Sequence, residues 1–343
     1  MWIALILSVI ITVLCATKET DCLTPYDKHA SKQLQGIYAM LIVAGHICNY
    51  MDSVNITPPH LHSLTNDIRD LGRFVVGGFF FISGYGIAVS GGIATAKKLI
   101  KRLIKVAKPF LFFTVIYQLV LTLTNELDIS QNIACLSKGN TTYLLPNCWF
   151  VFVIMIFYVI SYALTQISSQ ISRCVLVVIF SMMIIACLVK MQFGPHWYIS
   201  TFAIPAGYII GSYKNLFQLY VQKNKSLCLL LCCCALLLLF FSISHTFLQL
   251  FSISLFPVLI TIAAQKQRLV NLPITSYLGK ISYEVYLSHG IVLYCLKYAC
   301  VSNALMIIIC TYAGAIIMSD IYCRLKILEN IKRILSLIYE SKP

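Results

Sequence analysis

Two histidines stand inside stretches of the sequence that are otherwise apolar. His46 lies ten residues into the stretch 36–50, and His289 lies in the stretch 282–296. In a helix the position of His46 corresponds to a depth of about 15 Å, close to the middle of a bilayer. An imidazole can exchange a proton near neutral pH, so His46 is a candidate general base. The alternative is a neutral histidine that only hydrogen-bonds a neighbouring helix.

The helices that would carry these histidines follow from the composition. Of 343 residues, 59% are apolar and 11% are charged, and the mean hydropathy of +0.84 excludes a water-soluble domain. We expect an all-α, polytopic integral membrane bundle of about ten transmembrane helices. Residues 2–16 are an additional span, a signal-like anchor or an interfacial helix. The ten stretches are 36–50, 74–92, 109–123, 148–164, 175–189, 197–211, 227–243, 247–264, 282–296 and 304–318.

The distribution of charge predicts an orientation. The chain has 26 Lys and Arg against 12 Asp and Glu, a net charge of +14. If the basic loop 94–108 is cytoplasmic, 21 of the 26 basic residues fall on that side, as the positive-inside rule requires. The charge therefore does not call for a nucleic-acid partner. We expect a protein of the cell membrane, surrounded by membrane lipids, with a cytoplasmic C-terminus.

The same patterns predict three regions. Residues 1–31 are a hydrophobic N-terminal segment and a cytoplasmic link, 32–321 the transmembrane domain, and 322–343 an amphipathic cytoplasmic tail lying on the membrane. Among the 15 cysteines, only Cys135 and Cys148 share an outer loop. They form a disulfide or remain two free thiols.

Five motifs in order resemble one family. The stretch from Lys32 to His46 is similar to the first-helix signature of the acyltransferase-3 family, membrane O-acyltransferases that modify surface carbohydrates. The resemblance extends over residues 32–320. The other four motifs are Phe-Phe-x-x-Ser-Gly within 78–85, a basic turn at 101–105 followed by Pro109, Trp149-Phe150 with Tyr158, and Leu-Gly-x-x-Ser-Tyr-x-x-Tyr-Leu-x-His at 278–289.

The resemblance implies His46 as the catalytic base and a cytoplasmic acyl-coenzyme A donor, most often acetyl-CoA. Lys101, Arg102 and Lys105 are the expected donor-binding residues, because their charges match the polyanionic nucleotide end of coenzyme A. We expect no permanently bound cofactor and no metal site. Because the chain ends at Pro343 without the extracytoplasmic domain of some relatives, direct transfer or a separate partner is favoured.

One position departs from the family pattern. Relatives usually carry Arg or Lys eleven residues before the catalytic histidine, where this chain has Gln35. Lys32, one helical turn earlier, can replace that charge if the helix begins early. Four further residues are expected either to orient His46 and line its cavity, or only to pack between helices: Ser282, Tyr286, His289 and Trp149.

The expected acceptor is a cell-surface or exported polysaccharide or a lipid-linked saccharide. Two other functions fit the same sequence. One is a non-catalytic carrier or flippase for a lipid-linked saccharide, since polar groups in the middle of ten spans would also serve transport. The other is an acyltransferase that acts on a small molecule or a lipid. The sequence does not indicate the oligomeric state.

Overall fold

The computed structural model describes residues 28–223, 246–266 and 273–340, and within these ranges it has eleven α-helices and no β-strand. Short 3-10 turns, Pro59–Leu61 and Pro195–Trp197, precede the second and seventh helices. The predicted stretches 2–16 and 227–243 lie outside the described residues. The helices are α1 Lys28–Ser53, α2 His62–Val89, α3 Ala96–Leu123, α4 Ile129–Ser137, α5 Trp149–Leu164, α6 Gln170–Lys190, α7 Ala203–Ser212, α8 Lys214–Lys223, α9 Thr246–Lys266, α10 Pro273–Tyr298 and α11 Ala304–Glu340.

Five of these segments are long and apolar enough to cross a membrane: α1, Pro59–Val89, α3, α6 and Ala304–Lys326. The apolar segments Trp149–Leu164, Ala203–Ser212 and Leu248–Ile262 are shorter. The described part of the chain therefore has the all-helical architecture of a membrane protein, as the composition predicts. That all ten stretches cross the bilayer stays a prediction.

The outer helices have an apolar outward face. On α3, the side chains of Leu111, Val115 and Leu119 are 58%, 59% and 58% exposed, although all three are apolar. Their four-residue spacing places them on one face, while Phe113 and Tyr117 are buried on the other. A helix that is apolar all round and exposed on one side is suited to lipid contact.

The centre of the bundle is α1, which packs against α2, α10 and α11, while α2 also packs along α7 and α9. Glycines set the closest approaches. A Cβ added at Gly279 on α10 would overlap the backbone carbonyl of Lys32 on α1, and one at Gly207 on α7 would overlap the carbonyl of Phe81 on α2. The approach of α2 to α7 is equally close at Gly84, since a Cβ there would overlap the carbonyl of Ile204.

Several helices extend beyond the charge-free stretches that predicted them. α1 begins at Lys28 instead of residue 36, and α2 begins at His62 instead of residue 74. Polar end residues belong to the helices or cap them, as Thr95 does by accepting the Lys98 backbone N–H at 3.2 Å. In contrast, α7 begins at Ala203, after the predicted start at residue 197, because residues 195–197 form a 3-10 turn.

The structure bears on the boundary predicted near the C-terminus and on the two cysteines of the outer loop. α11 is continuous from Ala304 to Glu340, so the boundary predicted at 321–322 falls inside a helix and stays a prediction. Of the two alternatives for the outer loop, the structure has the free thiols: Cys135 and Cys148 are not bonded to each other, and Cys148 is buried at the start of α5. Burial of a small apolar group accounts for Cys148 without a covalent bond.

Candidate active site

The two intramembrane histidines lie against each other. His46 on α1 and His289 on α10 are stacked, with ring centroids 5.0 Å apart and ring planes at 30°. His289 is fully buried, and neither of its ring nitrogens has a hydrogen-bond partner among the described residues. His46 is half-buried and reaches a cavity. The packing of α1 against α10 therefore brings together two residues that the sequence assigned to one site.

We call this space the histidine cavity. Its volume is about 660 Å³. His46 stands at the boundary between this space and the buried His289, so one face of its ring is available to a bound molecule. The lining residues are Ile42, Gly45, His46, Asn49, Arg69, Asp70, Gly72, Arg73, Val76, Lys138, Gly139, Asn140, Thr141, Thr142, Asn147, Trp149, Gly194, His196, Ile199, Ser200 and Tyr286.

Two of the expected supporting residues form its aromatic wall. The Tyr286 hydroxyl donates to the Asn147 carbonyl, and the Tyr286 ring lies 5.9 Å from that of His289. Trp149 is only 8% exposed and contacts Trp197, with ring centroids 6.1 Å apart. Trp149 thus shapes the cavity mainly by packing. Ser282 does not reach the histidines, because its hydroxyl donates to the Gly279 carbonyl on its own helix at 3.2 Å.

The polar rim of the histidine cavity was missed by the sequence interpretation. Arg69 and Arg73 on α2 and Lys138 after α4 all line the cavity. The positions 69, 72, 73 and 76 have the spacing of one helix face, which is the signal that could have found them. His196, in the 3-10 turn before α7, also lines the cavity.

A second cavity, the lysine cavity, lies between the N-terminal part of α1 and the C-terminal part of α2, and its volume is also about 660 Å³. Gln35 and Lys32 both line it. α1 begins early, which is the condition under which Lys32 can supply the charge that Gln35 lacks. The lining residues are Lys28, Ser31, Lys32, Gln35, Ile82, Tyr85, Gly86, Val89, Ser90, Lys214, Asn215, Phe217 and Gln218.

The three residues expected to bind the donor are not part of this lining. Arg102 reaches its edge, since Nη2 donates to Ser90 Oγ at 2.8 Å, and its guanidinium lies 5.7 Å above the Tyr158 ring. Lys105 lies within electrostatic range of Lys32 and of the buried Glu284. Lys101 is exposed on α3. These three basic residues therefore lie near the lysine cavity, but within the described part of the chain the basic residues that line it are Lys28, Lys32 and Lys214.

A narrow apolar space lies between the two cavities. Its volume is about 10 Å³, close to that of one water molecule. On α1 its lining residue Ile42 lies between Gln35 and His46, and on α2 Phe79 lies between Arg73 and Ile82. The full lining is Ile42, Val76, Phe79, Phe150, Tyr283 and Tyr286. The two cavities thus approach each other through aromatic side chains beside His46.

No group of three or more His, Cys, Asp or Glu side chains among the described residues is arranged to hold a metal ion. The described side chains can support two kinds of chemistry. One is proton transfer at the histidine pair, and the other is binding of anions by the cations that line the lysine cavity and the histidine cavity.

Comparison with protein families decides the assignment. The model of a family described as an acyltransferase domain, that of the acyltransferase-3 family, matches residues 29–324. The chain belongs to this family. It is therefore a membrane acyltransferase, and membership favours that function over a non-catalytic carrier. No curated protein and no solved structure matches the chain.

In this acyltransferase-3 protein we expect the ring nitrogens of His289 to contribute more to the transfer rate than the bulk of its aromatic ring does. The substitution His289→Phe keeps an aromatic ring against His46 and removes two buried polar atoms that have no hydrogen-bond partner among the described residues. If these nitrogens hydrogen-bond His46 or a substrate during transfer, the rate falls about 10- to 100-fold while the melting temperature is maintained. The measurement is the initial rate of acyl transfer by the purified variant. A wild-type rate for His289→Phe would leave His289 a packing residue.

Proposed function

We propose that this protein transfers an acetyl group from cytoplasmic acetyl-CoA to a hydroxyl of a cell-surface or exported polysaccharide, with His46 as the general base. The observation that carries the proposal is the pair of cavities along α1, one containing Lys32 and Gln35 and the other containing His46. Gln35 and His46 are eleven residues apart, about 16 Å along the helix axis. An extended pantetheine arm spans this distance.

The chemistry at His46 is a nucleophilic attack on a thioester. A sugar hydroxyl is a weak nucleophile at neutral pH, so a base that removes its proton accelerates the reaction. The hydroxyl oxygen attacks the thioester carbonyl carbon while His46 takes the proton. The new C–O bond forms, the C–S bond breaks, and the leaving thiolate receives the proton. The products are the O-acetyl ester and free CoA, and neither oxidant nor metal is consumed.

The lysine cavity supports binding of the nucleotide end of the donor. Lys28, Lys32 and Lys214 line it, and no Asp or Glu of the described residues does. Ammonium groups at such a cavity attract the phosphates of coenzyme A. Arg102, held at the cavity edge by Ser90, adds a further cation beside the opening. In our proposal this set replaces Lys101 and Lys105 as the main contacts of the nucleotide.

The same end of the bundle is the cytoplasmic end in this proposal. Lys32, Lys105 and Lys326 all lie within electrostatic range of Glu284. Under the positive-inside rule this concentration of cations favours the cytoplasm, and it puts the loop 94–108 and the end of α11 on the side where acetyl-CoA is made. The histidine cavity then opens toward the other side of the cell membrane.

We expect removal of the three cavity lysines to weaken donor binding without changing the chemical step. The variant Lys28→Gln/Lys32→Gln/Lys214→Gln should raise the KM for acetyl-CoA about tenfold or more and leave kcat within about twofold. The control is Lys297→Gln, an exposed lysine outside both cavities. The prediction is wrong if the triple variant keeps the wild-type KM while a Lys101→Gln/Lys105→Gln variant raises it. That result would place the donor site on α3.

The function itself is tested with the purified full chain in lipid nanodiscs. Acetyl-CoA labelled in the acetyl group is supplied with a capsular or lipopolysaccharide preparation, and label in the saccharide and free CoA are measured together. Equal amounts of ester and CoA support the proposal. Label recovered in lipid or in a small molecule would overturn the polysaccharide acceptor, and acetyl-CoA that stays intact with every acceptor would overturn the acetyl donor.

A further inference from the structure

The rim of the histidine cavity carries an excess of positive charge. Among the residues that line it, three are cationic, Arg69, Arg73 and Lys138, and one is acidic, Asp70. Desolvation and the charge of Arg73 lower the pKa of His196, so this ring stays neutral at pH 7 and adds no charge. A cavity with cations at its rim and a base within it favours an acceptor that brings its own negative charge.

The Arg69 guanidinium is held by two residues that do not line the histidine cavity. Its Nη1 donates to Asp52 Oδ2 at 3.0 Å, and Nη2 donates to Asn66. Asp52 is in turn held by the Thr57 hydroxyl, which donates to Oδ1 at 2.6 Å. Since Asp52 does not line the cavity, it fixes the direction of the guanidinium without occupying the space in front of it. Even with Asp52 counted, the rim keeps a net positive charge.

Arg73 and Lys138, the other two cations of the rim, are held less firmly by neighbouring side chains than Arg69 is. Arg73 Nη2 lies 3.8 Å from Asp70 Oδ1, a long ion pair between half-exposed side chains. Lys138 forms no ion pair with any residue in the described part of the chain. Both can therefore turn toward a ligand at little cost.

The loop that carries Lys138 has a backbone held by several contacts. The Trp197 indole N–H donates to the Gly139 carbonyl at 2.7 Å, a buried bond. Gly139 has φ of +75°, and an added Cβ would press against the Phe193 ring at 2.8 Å. The neighbouring Asn140 side chain accepts the Thr142 backbone N–H at 2.9 Å. Lys138 thus stands on a loop whose backbone is fixed beside the cavity, as a specific binding wall requires.

We infer that the acceptor is an anionic saccharide, one that carries a carboxylate or a phosphate near the hydroxyl to be acetylated, and that Arg69, Arg73 and Lys138 bind this anion. The inference rests on the proposed function because it assigns the acceptor to the same cavity. It adds a substrate class that neither the catalytic histidine nor family membership specifies. Arg69 gives a fixed contact, while Arg73 and Lys138 adapt to the anion.

The test measures binding separately from transfer. Affinities of the purified full chain are measured for three probes: a galacturonic acid tetramer, mannose 6-phosphate and a neutral galactose tetramer. We expect at least one anionic probe to bind about tenfold or more tightly than the neutral one. The preference should shrink when NaCl is raised from about 0.05 to about 0.5 M, because salt screens exposed charges. Preference for the tetramer or the phosphate distinguishes the two sources of charge.

Two variants connect the preference to the rim. Arg73→Gln/Lys138→Gln should remove most of it, while Lys190→Gln, an exposed lysine outside the cavity, should retain it. Arg69 is left intact because its loss would remove the arginine that pairs with the Asp52 carboxylate. Equal affinity for all three probes, or no binding of either anionic probe, overturns the inference. If acetyl is transferred but the probes show no charge preference, the proposed function holds and the inference about the acceptor fails. If anionic probes are preferred but no acetyl is transferred, anion binding holds and the proposed function fails.

Discussion

The variant His46→Gln is expected to lose acyl transfer by about 100- to 10,000-fold, the range that a positioned general base contributes. Glutamine fills much of the space of the imidazole, but its amide does not take up a proton near neutral pH. The ring of His46 is half-buried at the cavity wall, so the substitution leaves the apolar core of α1 unchanged. The measurement is label transferred from acetyl-CoA to saccharide per unit of protein in the membrane.

The matched control is His60→Gln. His60 is an exposed histidine in the turn before α2, outside both cavities. We expect it to retain the wild-type rate and the wild-type melting temperature. If His46→Gln transferred acetyl groups at the wild-type rate, His46 would be a packing residue, and the base would have to be sought elsewhere in the cavity.

The variant Gly279→Val should disable the protein through the position of its helices. A Cβ at residue 279 overlaps the Lys32 carbonyl, and a backbone atom has no rotamer by which to move aside. α10 must therefore shift away from α1, which separates His289 from His46. Overpacking of this kind costs about 1–3 kcal/mol of stability. A displacement of about 1 Å between reacting groups can lower the rate about 100-fold.

The control for stability is Gly86→Ala. An added Cβ at Gly86 meets no atom within 4 Å, although this glycine also lies within a helix. Thermal unfolding of the two variants therefore separates the close approach of α1 and α10 from a general effect of replacing glycine. A Gly279→Val protein with an unchanged melting temperature and normal transfer would show that the helices can separate without loss of the site.

The hydrophobic stretches predicted most helices well and their ends poorly. A search for stretches without charge stops at the first lysine or arginine, but a helix stops only where its backbone hydrogen bonds are capped. α1 therefore includes Lys28 and Lys32, and α2 includes Arg69 and Arg73. These extra turns carry two of the cations that line each cavity. The cationic residues of α1 and α2 thus lay just outside the stretches that identified these helices, whereas His46 lay within one.

Within the site, residues in buried helices were easier to predict than residues at its edge. A histidine in an apolar stretch is costly enough to be noticed, and the spacing of Tyr286 and His289 places both on one helix face. A lysine or a loop histidine near the surface has no such signal, because solvated charges are common there. Lys138 and His196 therefore became visible only when separate parts of the chain met around one cavity.

The sequence by itself determined the class of this protein: an all-helical membrane protein with the ordered motifs of an acyltransferase-3 domain. Composition and local spacing are enough for that, because a bilayer requires apolar helices and a motif is read along one segment. Only the tertiary structure decided which residues face each other across the bundle. His46 stacks on His289 across the interface of α1 and α10, two helices that also approach closely at Gly279. The cationic rim joins α2 to the loop after α4, so its charge belongs to no single segment of the sequence.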